Sequence, residues 1–417
     1  MTAAPARGGF TRPPITTTAV RHDARGACRV VICLALLLEM QTPRLDGTYR
    51  LNIAAFAFLA TLLLIIRTRQ AAQNLYIAFS GAMAVLTIYC IWCLGTFMWS
   101  QNAADTIIDS TILIITVGIA VSYAHVSAMD FAQEFVRVAV ALAVASWALL
   151  LIAPHIAVLP DITWRLNGPM QHSQRLALVM GAALVVLTIL RFRYRSDFTR
   201  PVWTASIYLL LTATLLATQA RAFIAFTFIV LWFLIFGRAS SRQRILLAIA
   251  MLIAVVTAWQ NSDQLLSAIE RDGSNTLTLT GRTVIWENSL GLIRENPILG
   301  YGFSSFYSDL TRYFFSSGYI PPHAHNSWIN ATFETGIIGA TLLTLFMLSL
   351  LWHGSLTRPS LASGLIFFAM LCGLTGLVFG GKVSTLWVII AILAAQETLS
   401  RRSSHNQAST LSPRSVT

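Results

Sequence analysis

Apolar runs follow one another along the chain with short polar breaks, and one break, from Gln260 to Ser327, is far longer than the rest. A helix crossing a bilayer needs about 20 predominantly apolar residues, somewhat fewer where flanking arginines reach back to the interface. Twelve stretches fit, at roughly 28–40, 51–66, 75–99, 105–125, 132–153, 174–190, 203–219, 222–236, 245–259, 328–352, 361–379 and 381–397. The first, second, eighth and ninth are short, so the pattern supports eleven or twelve spans. It predicts an all-α, polytopic integral membrane protein of about 12 transmembrane helices with one large polar loop. Residues 1–27 and 398–417 read as disordered tails, too poor in apolar groups to fold alone. Between them lie nine spans over 28–259, the polar loop at 260–327 and three spans over 328–397.

Composition agrees with this layout. Hydrophobic residues make up 56% and charged residues 11%, with a mean hydropathy of +0.67, outside the range of soluble domains. The net charge of +12 would suggest a nucleic-acid partner in a soluble protein. Here the arginines sit between apolar spans, where they set orientation, so no nucleic-acid partner is expected. Arg7 through Arg29, Arg67 and Arg69, the cluster from Arg191 to Arg200, that from Arg238 to Arg244, and Arg401 and Arg402 fall on one side of a twelve-span drawing. That side is the cytoplasm, with both termini in it, and the segments at 154–173, 220–221 and 260–327 face out. The first span is expected to be retained, because Leu38-Glu39-Met40-Gln41 offers no small-residue cleavage site. Cys28, Cys33, Cys90, Cys93 and Cys372 all lie in or beside apolar runs and read as small hydrophobes, the Cys90-Ile-Trp-Cys93 spacing included.

Polar groups are cheap where the long loop meets the bilayer and costly elsewhere, so chemistry is sought at that boundary. Arg221 stands at the seam between two apolar runs. It is either a topological anchor or a phosphate contact, and its outward position, against the positive-inside bias, favours the second reading. Gly281-Arg282-Thr283-Val284-Ile285-Trp286-Glu287-Asn288 opens a helical pattern that reaches Arg294. Arg282 there either addresses lipid headgroups or a lipid diphosphate, or pairs with Glu287 or Glu295. Pro297-Ile298-Leu299-Gly300-Tyr301-Gly302-Phe303 stops that helix and permits a tight turn. Pro321-Pro322-His323-Ala324-His325-Asn326-Ser327 follows, where the chain re-enters the membrane. His325, near a helix N-terminus that favours the neutral imidazole, suits a general base. Two histidines two apart also open a metal reading, but the loop offers no obvious third ligand and no H-E-x-x-H. Gly302-Phe303-Ser304-Ser305-Phe306 lacks the second glycine of a nucleophile elbow.

Taken in order, these residues resemble a known family. Arg221 after a Thr-rich helix, Gly281-Arg282 with Trp286, Asn296-Pro297 leading to Gly300-Tyr301-Gly302, His323-Ala324-His325-Asn326 and Glu334-Thr335-Gly336-Ile337-Ile338-Gly339 look like the O-antigen ligase/polymerase family over about 205–345. The resemblance implies a GT-C-like glycosyltransferase of the bacterial inner membrane with its active loop in the periplasm. Its donor would be a polyprenyl-diphosphate-linked oligosaccharide, and its acceptor a glycan or lipid-linked glycan. Membrane lipids and other polysaccharide assembly proteins are the expected partners, and neither a metal nor another cofactor is expected. The arginines matching Arg221 and Arg282 would hold the diphosphate, and the histidine matching His325 would deprotonate the acceptor hydroxyl, with inversion at the anomeric carbon. His323 is a further substrate-binding candidate. Trp164 to Ser173 resembles an exopolysaccharide-polymerase loop of the family, which makes Arg165 and His172 candidate glycan contacts. Gln174 stands near where that loop has an asparagine.

The expected activity is therefore repeat-unit polymerisation of an exopolysaccharide or O-antigen. Within the family the rival is a ligase that moves finished polymer to lipid A core. From another class it is a transporter or flippase of lipid-linked glycans. The orientation is directly testable: reporter fusions after Arg195 and Arg242 should report the cytoplasm, and fusions after Asp263 and Ser317 the periplasm. A cytoplasmic signal at Ser317 would invert the assignment of the active face.

Overall fold

The computed structural model describes residues 17–41, 48–158, 164–193, 201–260, 282–314, 321–352 and 359–411. Of the stretches expected as tails and loop, 1–16, 412–417, 261–281 and 315–320 lie outside the described residues. The helices are α1 (Thr17–Leu37), α2 (Thr48–Ile66), α3 (Thr68–Ala78), α4 (Gly81–Gly95), α5 (Ala103–Ser122), α6 (Ala128–Ile152), the single turn α7 (Pro154–Ala157) and α8 (Ser173–Arg193). They continue with α9 (Pro201–Ala217), α10 (Arg221–Arg238), α11 (Ser241–Gln260), α12 (Arg282–Glu295), α13 (Asp309–Phe314), α14 (Ser327–Trp352), α15 (Leu361–Gly373) and α16 (Thr385–Leu411). Strand-like pairing among the described residues is confined to two antiparallel bridges, Met40 with Met170 and Val158 with Leu166. The all-α, multi-pass reading is observed.

Each of the twelve apolar stretches carries helix, though several overrun it, most of all at 374–379 and 381–384. By length and composition, six helices among the described residues can cross a membrane, or up to seven if Leu51–Ile66 and Thr68–Ala78, bent by 99°, form one span. The boundaries also move. The stretch at 75–99 is divided at Ser80-Gly81, where Gly81 has a φ of +52°, so residues 75–78 end α3 instead of opening a span. Helix also enters the stretches read as disordered tails, at 17–27 in α1 and 398–411 in α16. Charge pairing ties α1 to α6. Arg25 meets Asp130 at 3.2 Å, and Arg29 and Arg137 both pair with the fully buried carboxylate of Glu134. A buried carboxylate without such partners would be strongly disfavoured.

The centre of the bundle is α8, 83% buried, against 22% for α10. It packs against α6, α9, α10, α15 and α16. Small residues let these neighbours approach closely. A Cβ at Gly181 would fall 2.5 Å from the Thr227 hydroxyl of α10 and 2.7 Å from the Phe368 ring of α15.

Helix α14 is broken at Gly336 (φ 64°, ψ −174°). The break frees the carbonyls of Phe333, Glu334 and Thr335 from their intrahelical partners, and in apolar surroundings such groups must find others. They do. Tyr301 N–H donates to Phe333 O and Gly302 N–H to Glu334 O, both at 2.9 Å, while the Trp92 indole donates to Thr335 O at 3.0 Å. In return Ile337 N–H donates to Pro297 O at 2.9 Å. The Pro297–Phe303 turn is thus a splint across the break, and its glycines are there for contact: a Cβ on Gly300 would lie 2.5 Å from Gly336 N.

Gly336→Ala should therefore unfold the detergent-solubilised protein at distinctly lower temperature. It places a Cβ 2.0 Å from Ile298 O at a positive φ, a strain of about 1–3 kcal/mol before any clash is counted. Gly291→Ala, on α12 with nothing within 4 Å, should leave the melting temperature unchanged or raise it slightly. Equal behaviour of the two variants would remove the splint from the account.

Candidate functional site

Local capping builds the histidine segment. The Asn326 side-chain Oδ1 accepts from Trp328 N–H (2.9 Å) and Ile329 N–H (3.1 Å), capping α14. Its amide donates to Leu374 O at 3.1 Å. Ser327 Oγ accepts from Val378 N–H and Phe379 N–H and donates to Gly376 O. The Asn330 amide donates to Gly380 O, and its carbonyl oxygen accepts from Ala324 N–H. The start of α14 is in this way laced to the glycine-bearing connection between α15 and α16. This connection replaces the expected helix over 374–379.

On the other side, the Trp286 indole of α12 donates to Ala324 O at 2.9 Å, and Arg282 Nη1 donates to Thr375 O at 2.8 Å. Arg282 makes no ion pair with Glu287, Glu295 or any other carboxylate among the described residues. Burial lowers its proton affinity, though a guanidinium stays charged at any ordinary pH.

These segments enclose a cleft of about 360 Å³ whose walls include His172, Arg175, His323, His325, Phe223 and Leu377. The rings of His323 and His325 meet edge-on at 4.2 Å. His325 adopts φ 51°, a left-handed conformation unusual outside glycine and often found where side chains are aimed at a task. Its N–H donates to His323 Nδ1 at 3.1 Å, so the neutral His323 ring carries its proton on Nε2. His172 Nδ1 likewise accepts from Gln174 N–H at 3.2 Å. His325 Nδ1 is buried without a hydrogen-bond partner among the described residues.

Burial is the main cause that pushes His325 down to about 4, with the charges of Arg282 and His172 adding to it. His323 lies well below the ordinary histidine range, first from burial, then from His325, Arg175, Arg282 and His172. The cleft thus pairs neutral imidazoles with permanent guanidinium charge, suited to accepting a proton beside an anion.

Of the residues singled out from sequence, the cleft brings together His172, His323 and His325, with Arg282 close enough to act on both histidines of the loop. Arg221 and Arg165 are not among its walls. Arg221 is exposed at the start of α10, two residues before the wall residue Phe223. Arg165 precedes Leu166, whose N–H donates to Ala217 O at 3.0 Å. His323 and His325 acquire no third ligand of a metal-holding kind among the described residues. The residue missed from sequence is Arg175. It was absorbed into an apolar span, yet it faces outward in the same drawing as Arg221, and the same departure from the positive-inside bias applied to it.

The model of a family described as O-antigen ligase matches residues 205–344. Residues 205–344 are O-antigen ligase-like. This stretch holds Arg221, Arg282, His323 and His325 and leaves out Arg165, His172 and Arg175. The chain is also similar to the exopolysaccharide production protein ExoQ of Rhizobium meliloti, 32% identical over 103 residues. That match covers 23% of this chain, and the chain spans 22% of the length of that relative.

A histidine resonance titration in detergent should place the His325 midpoint near about 4, with His323 also below the ordinary 6.5. Because both values are lowered, the two rings should be neutral throughout the range from pH 6 upward. A His325 midpoint at or above 6.5 would mean that the cleft is wet and the ring an ordinary surface histidine.

Proposed function

We propose that the protein is a membrane glycosyltransferase that moves a polyprenyl-diphosphate-linked oligosaccharide onto a hydroxyl of an acceptor glycan, acting as a repeat-unit polymerase. The observation that carries this reading is that, in an O-antigen ligase-like stretch, the neutral base His325 lines a cleft and the half-buried guanidinium of Arg282 lies close enough to act on it. The similarity to an exopolysaccharide production protein supports polymerisation. The description of the matched family keeps ligation to lipid A core as the second reading. By the arginine alternation, the cleft opens to the periplasm of a bacterial inner-membrane protein.

In this mechanism His325 takes the proton of the acceptor hydroxyl as its oxygen attacks the anomeric carbon from the face opposite the leaving group. One carbon–oxygen bond forms, the bond from the anomeric carbon to the phosphate oxygen breaks, and the configuration inverts. The electron pair leaves with the polyprenyl diphosphate, whose growing charge is met by Arg282 from beside the cleft and Arg221 from its rim. His172, His323 and Arg165 contact the substrates. A base at about 4 is weak in the empty site. A bound diphosphate brings negative charge that offsets the Arg282 field and strengthens it when it is needed.

Given a lipid-diphosphate oligosaccharide, the purified protein should produce longer glycans, whereas a transporter would leave their length unchanged. His325→Ala should abolish transfer while donor binding persists, and His323→Ala should be milder. Arg282→Lys keeps the charge but loses the fork, so activity should fall about tenfold or more at unchanged protein level. Equal loss in both histidine variants together with chelator sensitivity would replace the base by a metal site. In pH profiles, the acid limb of kcat/KM reports the free site and should lie near about 4, with the limb of kcat higher. Coincident limbs would argue against a diphosphate beside His325.

A further inference from the structure

We propose that Arg175 is a further anion-binding residue of this cleft, and that Glu39, at the end of the segment following α1, is its positioning residue. The inference rests on the glycosyltransferase reading and names two residues outside the O-antigen ligase-like stretch. Arg175 stands in the first turn of α8 and lines the cleft beside His172 and His323. Its Nη1 donates to Glu39 Oε1 at 2.9 Å and to Leu377 O at 3.4 Å. Its Nε and Nη2 have no partner among the described residues. Those two nitrogens form the side-on fork with which arginine grips two oxygens of a phosphate group at once. The side chain keeps 29% of its surface exposed, against 5% for Glu39.

Glu39 holds Arg175 from behind. Backbone pairing fixes it independently of the ion pair: Gln171 N–H donates to Glu39 O, and Gln41 N–H to Pro169 O, both at 2.8 Å, around the Met40–Met170 bridge. Glu39 Oε2 has no hydrogen-bond partner among the described residues, so the carboxylate is anchored by its backbone and reaches Arg175 through one oxygen only. A rigid carboxylate that occupies Nη1 and leaves the fork facing a cleft restrains a long side chain without saturating it. That arrangement suits a receptor for an anion better than a structural ion pair, which would gain from a bidentate contact. The charge of Arg175 bears on His323 ahead of that of Arg282 and has no part in lowering His325. Arg175 therefore bears on the His323 side of the cleft, where its open fork would meet the diphosphate of the lipid-linked donor.

Binding of farnesyl diphosphate and of inorganic pyrophosphate to the purified full chain in nanodiscs tests this. Arg175→Lys keeps the ion pair with Glu39 and lacks the fork, so it should fold normally and bind farnesyl diphosphate about tenfold more weakly. Glu39→Gln, which frees Arg175 to wander, should weaken binding by a smaller factor and raise the donor KM with little change in kcat. The charge swap Glu39→Arg with Arg175→Glu should recover thermal stability relative to Arg175→Glu alone without recovering binding. Wild-type affinity in Arg175→Lys, or recovery of binding in the swap, would reduce the pair to a structural bridge and overturn the inference. If Arg282→Gln loses binding while Arg175→Gln retains it, the proposal for Arg175 falls and the glycosyltransferase reading stands. If the wild type binds neither probe, both fall.

Discussion

A peptide group in apolar surroundings must find a hydrogen-bond partner, because no water is at hand to supply one. In this protein the functional end of the bundle follows from how that requirement is met wherever helix is interrupted. At Gly336 the chain leaves helical geometry, and three freed carbonyls are taken up by two backbone N–H groups of the 297–303 turn and by the Trp92 indole. Between α15 and α16 the chain is again non-helical, and there the acceptors and donors come from Asn326, Ser327 and Asn330 at the start of α14. Both solutions position the same element. The histidine segment sits between them, with its backbone held by groups whose primary task is to satisfy the main chain.

The electrostatics of the cleft follow from that scaffold. Arg282 donates to Thr375 O and so spends one hydrogen bond on the interrupted connection while its charge falls on the two imidazoles. The histidines are half-buried by the same lacing, and burial comes first among the causes that keep them neutral. A guanidinium cannot respond to burial by losing its proton at ordinary pH. An imidazole can, and it does. One apolar enclosure thereby yields a permanent cation and a neutral acceptor side by side, which a wetter site would not maintain.

At the opposite end of α1, charge is handled differently. Glu134 is enclosed by Arg29 and Arg137, and Asp130 by Arg25, so these groups neutralise one another. The contrast with Arg175 is informative. There a single carboxylate oxygen meets a single guanidinium nitrogen, and most of the donor capacity is left toward the cleft.

Much of this was legible in the residues alone. Hydrophobic run length is enough to identify helices in a membrane protein, because a spanning segment must satisfy its own backbone, and each of the twelve apolar stretches does carry helix. The grouping of His323, His325 and Arg282 was legible too, since polar and charged residues are scarce in such a chain and cluster where they are used. Three things were decided only by tertiary structure. Lipid tails are as apolar as leucine, so no pattern of hydrophobicity separates the buried α8 from the far less buried α10. A helix break is invisible when its freed carbonyls find partners far away in sequence, as Thr335 finds Trp92. Arg175 departs from the positive-inside bias, but that departure names no partner for it. Its pairing with Glu39, 136 positions away, depends on a backbone bridge between two loops, and composition and spacing carry no trace of that contact.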